Sequence, residues 1–310
     1  MIRLRDAAER NPVALVVAGM LVFSVGPLLV RASDVSGPVL SFWRLWFGVA
    51  ILGAASLVHA RRTGRRPTAD GWQWAVRAGI AFGIHQLFFM TALKKTSVVD
   101  VTLMQVLQPV VVAVLAVRIF GERPGSRFRL WSAVAVAGAA VVALAGSSGP
   151  TGDGLGMAFA VLNILFYAVY FVWAKQARGA IDVVPFLFGV VLAAGVLVTT
   201  FCLLTGEAVS SAGGSDLAAA LAIAVLPGAI GHFLSTWPLR WVAANVPPLL
   251  QLAIPFLSGA MAWVLFDERI TAAHVVGGAL TVGGVAGALL SPAGRRLVAR
   301  EEATLATGSG

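Results

Sequence analysis

The chain has 310 residues, of which 58% are hydrophobic and only 12% are charged, and its formal net charge is +9. Soluble domains carry roughly 25% charged residues, so this composition excludes a chain built of ordinary soluble domains. The apolar residues occur in runs of about 20, the length at which a helix crosses a bilayer. The sequence therefore predicts an all-α integral membrane protein.

Ten apolar segments follow one another, each limited by charged residues, proline or glycine. The first five lie at 13–30, 38–58, 72–93, 98–117 and 128–144. The second five lie at 155–174, 183–204, 217–239, 246–266 and 274–290. They predict ten transmembrane helices in two units of five, 13–146 and 154–290, joined by a linker at 147–153. We expect residues 1–12 to be a cytoplasmic segment and residues 291–310 to be a basic, disordered cytoplasmic tail.

Lysine and arginine are distributed unequally between the predicted loops. If the N-terminus is cytoplasmic, the inner segments hold 17 of these residues and the outer loops hold four. Because cytoplasmic loops are rich in lysine and arginine, this predicts a multi-pass protein of the inner membrane with both termini in the cytoplasm. The positive inner face accounts for the net charge without a nucleic-acid partner.

An internal duplication organises the chain. A shift of 146 positions aligns residues 93–138 with 239–284 without a gap. The pairs that carry the match are Gln105 with Gln251, Pro109 with Pro255, Glu122 with Glu268, and Gly138 with Gly284. Since five helices per copy is an odd number, the second copy must insert upside down. Inverted repeats are typical of secondary transporters, whose substrate site lies near the membrane midplane between the halves.

The two copies resemble the EamA-type domain of the drug/metabolite transporter superfamily. Each has a proline inside a helix and a helix end that reads FGE or FDE before a short loop and a glycine-rich helix. The second copy departs from the first in having Asp267 where the first has Gly121. The resemblance covers residues 13–290. It implies ten helices with both termini inside, and transport of small metabolites, often amino acids and often outward.

Arg44 lies a third of the way into the second segment, where a charge is costly unless it faces protein or water. We interpret it as a contact for the carboxylate or phosphate of a substrate. In the alternative interpretation its side chain extends towards an interface or pairs with a helix end.

His85 and His232 lie deep in the third and eighth segments, at nearly equivalent positions of the two repeats. Both are therefore expected to face a central cavity, where imidazole can bind substrate or transfer protons near neutral pH. The alternative is a histidine that is hydrogen-bonded across a helix interface.

Gln105, Gln108 and Pro109 share one helix face, and Gln251 with Pro255 repeats the pattern. A proline inside a span removes a backbone hydrogen bond and kinks the helix. We therefore expect bending points at Pro109 and Pro255, beside amides that bind substrate. The alternative is hydrogen bonding of the glutamines between helices, with proline merely tolerated.

Asn163, Tyr167 and Tyr170 in the sixth segment have the spacing of one helical face. A polar and aromatic stripe in an apolar helix predicts a pore lining. An interfacial position for at least one tyrosine is the alternative.

Glu122 and Glu268 end the fourth and ninth segments, and a helix C-terminus disfavours an anion. We therefore expect each to pair with an arginine nearby in sequence, or to accept backbone N–H groups from the next helix. Their predicted role is structural or gating rather than substrate binding.

Several patterns are missing from the sequence. No acidic residue lies in the middle of a predicted span, so only the histidine pair could carry protons for coupled transport. Uniport and exchange are therefore as plausible as proton coupling. Cys202 is the single cysteine, which excludes an internal disulfide. There is no phosphate-binding GxxxxGK[ST] loop and no HExxH pattern, so we expect no cofactor, no metal and no enzymatic activity.

Together these features predict a secondary transporter that exports small polar metabolites, such as amino acids or related amphiphiles. One alternative is a multidrug exporter of the same superfamily, against which a basic to neutral cavity counts because such drugs are often lipophilic cations. The other is a membrane enzyme or sensor, against which the absence of a catalytic constellation or an appended soluble domain counts.

Overall fold

The computed structural model describes residues 12–64, 67–108, 110–111, 125–148, 154–177, 180–231, 234 and 250–292. Three residues of the predicted site, Pro109, Glu122 and His232, lie outside these ranges. The predicted linker and the tail lie outside them almost entirely. The described part of the chain is helical and contains no β-strand.

Each predicted segment contains one helix in the described ranges. The first five are α1 (Pro12–Ala32), α2 (Gly37–Thr63), α3 (Ala69–Lys95), α4 (Val98–Gln105) and α5 (Ser126–Ser148). The second five are α6 (Gly154–Ala177), α7 (Val183–Thr205), α8 (Gly214–Val225), α9 (Ile254–Phe266) and α10 (Ala272–Leu290).

Seven helices of the described part are long and apolar enough to cross a membrane. They are α1, α2, α3, α5, α6, α7, and α8 with its extension to Gly231. The helices α9 and α10 are apolar but shorter in the same test. The prediction of an all-helical protein with several membrane spans is confirmed, whereas ten spans in inverted repeats stays a prediction.

Hydroxyl side chains begin several of the helices. Ser36, Thr68 and Ser97 each accept a hydrogen bond from a backbone N–H in the first turn of α2, α3 and α4. Such caps satisfy N–H groups that have no partner inside the helix. Glycine ends α2 and α7, since Gly64 and Gly206 have φ angles of 65° and 72°, a conformation that favours glycine.

The two copies of the repeat are interrupted at equivalent places. The first break is a turn at Val106–Leu107, three residues before Pro109, and the second is at Leu252–Ala253, three residues before Pro255. At these turns the backbone hydrogen bonds run to the residue three positions back instead of four. Val106 N donates to Leu103 O, and Ala253 N donates to Leu250 O. Because a proline cannot donate a backbone hydrogen bond, the helix loosens one turn before it.

The eighth segment differs from its prediction as one continuous helix. Its α-helix ends at Val225, and the chain continues as a π-helical turn over Leu226–Gly231. Pro227 explains the change, because it has no N–H to donate to the carbonyl of Ile223, one helical turn back. Such π-helical turns often lie at functional sites.

Close packing joins α5 to α10 and α3 to both α6 and α7. Small residues allow the close approach: a Cβ on Gly138 would lie 2.6 Å from the carbonyl oxygen of Gly277 in α10. The counterpart of Gly138 in the second repeat, Gly284, packs in the same way against Ala135 of α5. Small residues of this kind bring helix backbones together in membranes, where no hydrophobic effect drives association.

Candidate functional site

Six polar side chains from α2, α3, α6 and the turn after α4 lie in the interior of the bundle. We call them the Arg44 cluster: Arg44, His85, Gln108, Asn163, Tyr167 and Tyr170. The aromatic ring of Phe82 lies among them, with centroids 5.1 Å from Tyr170 and 5.4 Å from His85. Sequence analysis singled out all six side chains of the cluster, and the fold brings them together.

The guanidinium of Arg44 lies at mid-depth in the bundle. Its Cζ is 5.4 Å from the ring centroid of Phe82, which is the central residue of α3. The Nη1 atom is buried without a hydrogen-bond partner in the described part of the chain. The Nη2 atom faces the π-helical turn, 3.9 Å from the place that a Cβ on Gly228 would take. The side chain is thus held inside the protein and does not extend to an interface.

Aromatic side chains surround the cation. Tyr170 and Tyr167 lie against Phe82 and His85, and Phe82 lies directly beside the guanidinium. The two tyrosine rings are 5.4 Å apart at an angle of 60°, and the side chain of Gln108 lies next to Tyr167. Neither tyrosine therefore needs an interfacial position, since the bundle interior provides contacts for both.

His85 is a buried residue that joins two helices. Its Nδ1 donates to the backbone carbonyl of Asn163 at 3.3 Å, and only 4% of the residue is exposed. In a neutral ring this donor role leaves Nε2 as an acceptor. The imidazole ring stacks on the ring of Phe89, with the ring centroids 5.9 Å apart, and its centroid is 4.7 Å from that of Tyr167. The interhelical hydrogen bond that was the alternative for this histidine is therefore present.

The Arg44 cluster contains buried polar atoms without a partner. The described residues include four such atoms, namely Arg44 Nη1 and Asn163 Oδ1 in the cluster, and Gln86 Oε1 and Ser132 Oγ outside it. Each unsatisfied buried group costs about 1–3 kcal/mol. Side chains retained at that cost mark a place where a ligand can supply the missing partners.

Gln86 was missed by sequence analysis, which treated it only as the neighbour of His85. It is 4% exposed, and its backbone carbonyl lies 3.4 Å from the Ser41 hydroxyl of α2, which donates to it. A polar residue inside an apolar segment was the signal that could have identified it.

A second polar region closes one end of the bundle. We call it the Asp100 end, and it consists of residues 32–37, 94–100, 205–216 and 267–274. Here the backbone N–H of Asp34 donates to Asp216 at 2.8 Å, and the Ser36 hydroxyl donates to Glu207 at 2.6 Å. Both bonds join the first half of the chain to the second.

Asp100 and His274 form a buried pair at this end. Their Oδ1 and Nε2 atoms are 3.0 Å apart, and the side chains are 5% and 9% exposed. The other oxygen of Asp100 accepts hydrogen bonds from the hydroxyls of Ser97 and Thr96 at 2.7 and 3.3 Å. The sequence alone places Asp100 at the outer mouth of the fourth predicted helix and His274 at the start of the tenth, and it does not predict that they meet. The pair joins residues that are 174 positions apart.

Glu268 also lies at the Asp100 end. Its carboxylate accepts hydrogen bonds from the backbone N–H of Val98 at 2.9 Å and, more weakly, of Val99. Arg31 Nε is 3.8 Å away. A partner for this carboxylate was expected, but the N–H groups come from the start of α4, not from the next helix, and the arginine comes from α1. The reason is tertiary: the start of α4 meets the end of α9 across the two halves.

Gln105, Gln251 and Pro255 belong to the two helix breaks. Gln105 and Gln251 are the residues immediately before the turns at 106–107 and 252–253, and both are partly exposed. Pro255 is buried at the start of α9. The hinge and substrate roles predicted for these residues stay predictions.

Comparison with known proteins agrees with this architecture. The model of the EamA-like transporter family matches the chain twice, at residues 11–144 and 154–290. An uncharacterized transporter of Archaeoglobus fulgidus is 26% identical over 275 residues, which cover 88% of this chain and 93% of that protein. A solved crystal structure, described only as that of a protein, has a TM-score of 0.62 at 22% identity over 93% of this chain and 99% of its own. The structural likeness shows the fold alone; the family match over most of the length shows that this chain belongs to the EamA-like transporter family.

Proposed function

We propose that the protein is a secondary transporter that exports small polar metabolites carrying an anionic group, such as amino acids or related amphiphiles. Membership of the transporter family supports the general class. The observation that carries the finer proposal is Arg44, whose Nη1 is buried at mid-depth without a partner. A guanidinium presents paired donors that match a carboxylate or phosphate.

The rest of the Arg44 cluster suits the remainder of such a substrate. The amide oxygen of Asn163 is an unpartnered acceptor for an ammonium or hydroxyl group. The faces of Phe82, Tyr167 and Tyr170 offer apolar and aromatic surface beside the cation. An amino acid or a related amphiphile carries an anion, a hydrogen-bond donor and an apolar part, which match the guanidinium, the amide oxygen and the aromatic faces in turn.

The positive charge of Arg44 distinguishes the proposed function from export of cationic drugs. A multidrug exporter of lipophilic cations would place a carboxylate or a purely aromatic surface in the cavity. In the described part of the chain the interior cluster contains a cation instead, and the carboxylates of Asp100, Glu268 and Asp216 lie at the Asp100 end. Arg44 therefore favours an anionic substrate over a cationic one.

Export is tested by comparing metabolites in the medium and cytosol of cells that overproduce the protein with those of cells carrying an empty vector. We expect one or a few anionic or zwitterionic compounds to fall inside and rise outside. The variant Arg44→Gln should abolish the difference. Its matched control is Arg77→Gln. Arg77 is exposed on α3, with its Cζ atom 5.0 Å from the ring centroid of Trp74. No change in any compound, or export of cations alone, would contradict the proposal.

Alternating access between two inverted repeats requires the Asp100 end to separate during the cycle. Cysteines in place of Ser36 and Glu207, with Cys202→Ser to remove the single native cysteine, can be joined by a short thiol-reactive cross-linker. We expect cross-linking to stop transport and the two single-cysteine variants to be unaffected. Undiminished transport in the cross-linked protein would exclude movement at this end.

A further inference from the structure

A half-open groove lies at the end of the bundle opposite to the Asp100 end. It has a volume of about 410 Å³ and is bordered by α2, α3 and α7. The residues that line it include Gly53, Ser56 and Leu57 of α2, Trp72 of α3, and Phe188 of α7. Its walls are largely apolar, and no part of the proposed transport mechanism uses it.

The groove faces away from the Arg44 cluster. Gly53 follows Arg44 by nine positions on α2, which is about two and a half helical turns, so the two residues lie on opposite sides of the helix. On the groove side, Leu57 is 53% exposed. The groove therefore opens towards the surroundings of the bundle, which in a membrane protein are lipid.

The depth of the groove matches part of one membrane leaflet. From Gly53 to Ala60 its wall on α2 runs about 10 Å along the helix axis, at a rise of about 1.5 Å per residue. The helix ends at Thr63, so the groove begins near the level of the lipid headgroups. Trp72 borders it close to the start of α3, where aromatic residues typically occupy the interface.

Positive charge lies beside the mouth of the groove. Arg61 and Arg62 are exposed in the last turn of α2. Arg61 directly follows Ala60, which lines the groove, whereas Arg62 follows Gly53 by nine positions and lies on the other side of the helix. Of the acidic groups at this end, Asp182 is bonded to His59 at 3.1 Å and Asp70 lies in the first turn of α3. Arginines near a membrane surface attract anionic headgroups.

We propose that this groove binds an anionic phospholipid, with one acyl chain between α2, α3 and α7 and the phosphate against Arg61. The apolar walls, the depth and the charge at the mouth each match one part of that molecule. The site is independent of the substrate site, because it uses the other face of α2.

Native mass spectrometry of the purified full-length protein can test the proposal, with dioleoyl phosphatidylglycerol and dioleoyl phosphatidylcholine as the two probes. The chains are identical, so a difference reports the headgroup. We expect the first phosphatidylglycerol to bind roughly ten-fold more tightly. Equal binding of the two lipids would overturn the proposal, as would displacement of phosphatidylglycerol by inorganic phosphate, which would indicate a site for the bare anion.

Two variants separate the two parts of the site. Arg61→Gln should remove the preference for phosphatidylglycerol and leave phosphatidylcholine binding unchanged. Its control is Arg62→Gln, which removes the same charge from the other side of α2. Ser56→Trp should fill the groove and weaken the first binding step for both lipids. Its control is Leu203→Trp, at a position of α7 that is 76% exposed. A preference that survives Arg61→Gln would overturn the proposal even if the tryptophan variant fails to fold.

Discussion

The Arg44 cluster and the Asp100 end are both built from buried polar side chains, but they differ in how completely these groups are hydrogen-bonded. At the Asp100 end, Asp100 uses both carboxylate oxygens, and both oxygens of Glu268 share the backbone N–H of Val98. In the interior, Arg44 Nη1 and Asn163 Oδ1 are buried and unpartnered among the described residues. Polar groups that satisfy one another stabilise the fold, whereas groups left unsatisfied reduce stability and favour binding of a ligand.

The largest expected effect concerns the stability of the Asp100 end. Asp100→Ala removes the carboxylate that binds His274 Nε2 and the hydroxyls of Ser97 and Thr96, and these donors lose that acceptor. We therefore expect a loss of about 3 kcal/mol in the free energy of unfolding. Thermal unfolding in detergent measures this loss of stability.

The control is Asp182→Ala, because the Asp182–His59 pair has a similar distance of 3.1 Å but is 42% and 28% exposed. It should lose less than about 1 kcal/mol. Equal losses would show that burial does not distinguish the two pairs.

The second effect concerns transport. Arg44→Gln removes a charged contact to the substrate, worth about 1.5–3 kcal/mol, so we expect apparent affinity to fall roughly 10- to 100-fold. Thermal stability should stay the same or rise, because the variant no longer buries a charge. Arg44→Lys should recover only part of the affinity, since lysine has the charge but not the paired donors. A variant with native transport, or one that fails only because it unfolds, would place Arg44 among the structural residues.

A smaller effect is expected at the unsatisfied amide of the cluster. Asn163→Leu replaces a buried amide with an apolar side chain of similar size, and should raise stability by about 1 kcal/mol while it weakens transport several-fold. The helix backbone still provides the Asn163 carbonyl that His85 uses. A loss of stability in this variant would mean that the amide is a structural group after all.

The smallest effect concerns pH at Glu268. Burial raises the pKa of its carboxyl, although the N–H groups of Val98 and Val99 and the charge of Arg31 oppose the shift. A carboxyl with a higher pKa in the folded than in the unfolded protein binds more protons when folded, so stability falls as pH rises through the window above the ordinary value of 4.5. We expect Glu268→Gln to flatten this decrease in Tm. An unchanged slope would assign the pH dependence to other groups.

The difference between the two regions also explains which features could be predicted from sequence. Apolar runs of about 20 residues are a strong signal in a membrane protein, and every predicted segment contains a helix. Arg44, His85, Asn163, Tyr167 and Tyr170 could be selected because each is a polar or aromatic residue within such a run. A polar side chain inside an apolar run is conspicuous in this way before the fold is known.

The partners at the Asp100 end could not be predicted in the same way. Glu268 meets Val98 over 170 positions, and His274 meets Asp100 over 174. These residues lie in loops and first turns, where polar side chains are common and carry no signal of their own. Only the packing of the two halves determines which of them meet. The π-helical turn after α8 could not be predicted for a different reason. A proline such as Pro227 within an apolar run is compatible with either a simple kink or a π-helical turn.

The central claim is that Arg44 binds the anionic group of the transported compound. Its most direct test is equilibrium binding of the exported metabolite, and of the same metabolite with its anionic group neutralised, to the purified protein and to Arg44→Gln. We predict that the native protein prefers the anionic form by roughly ten-fold or more, and that Arg44→Gln binds both forms equally weakly. If the variant retains the preference for the anion, the guanidinium does not recognise it, and the assignment of the site is wrong.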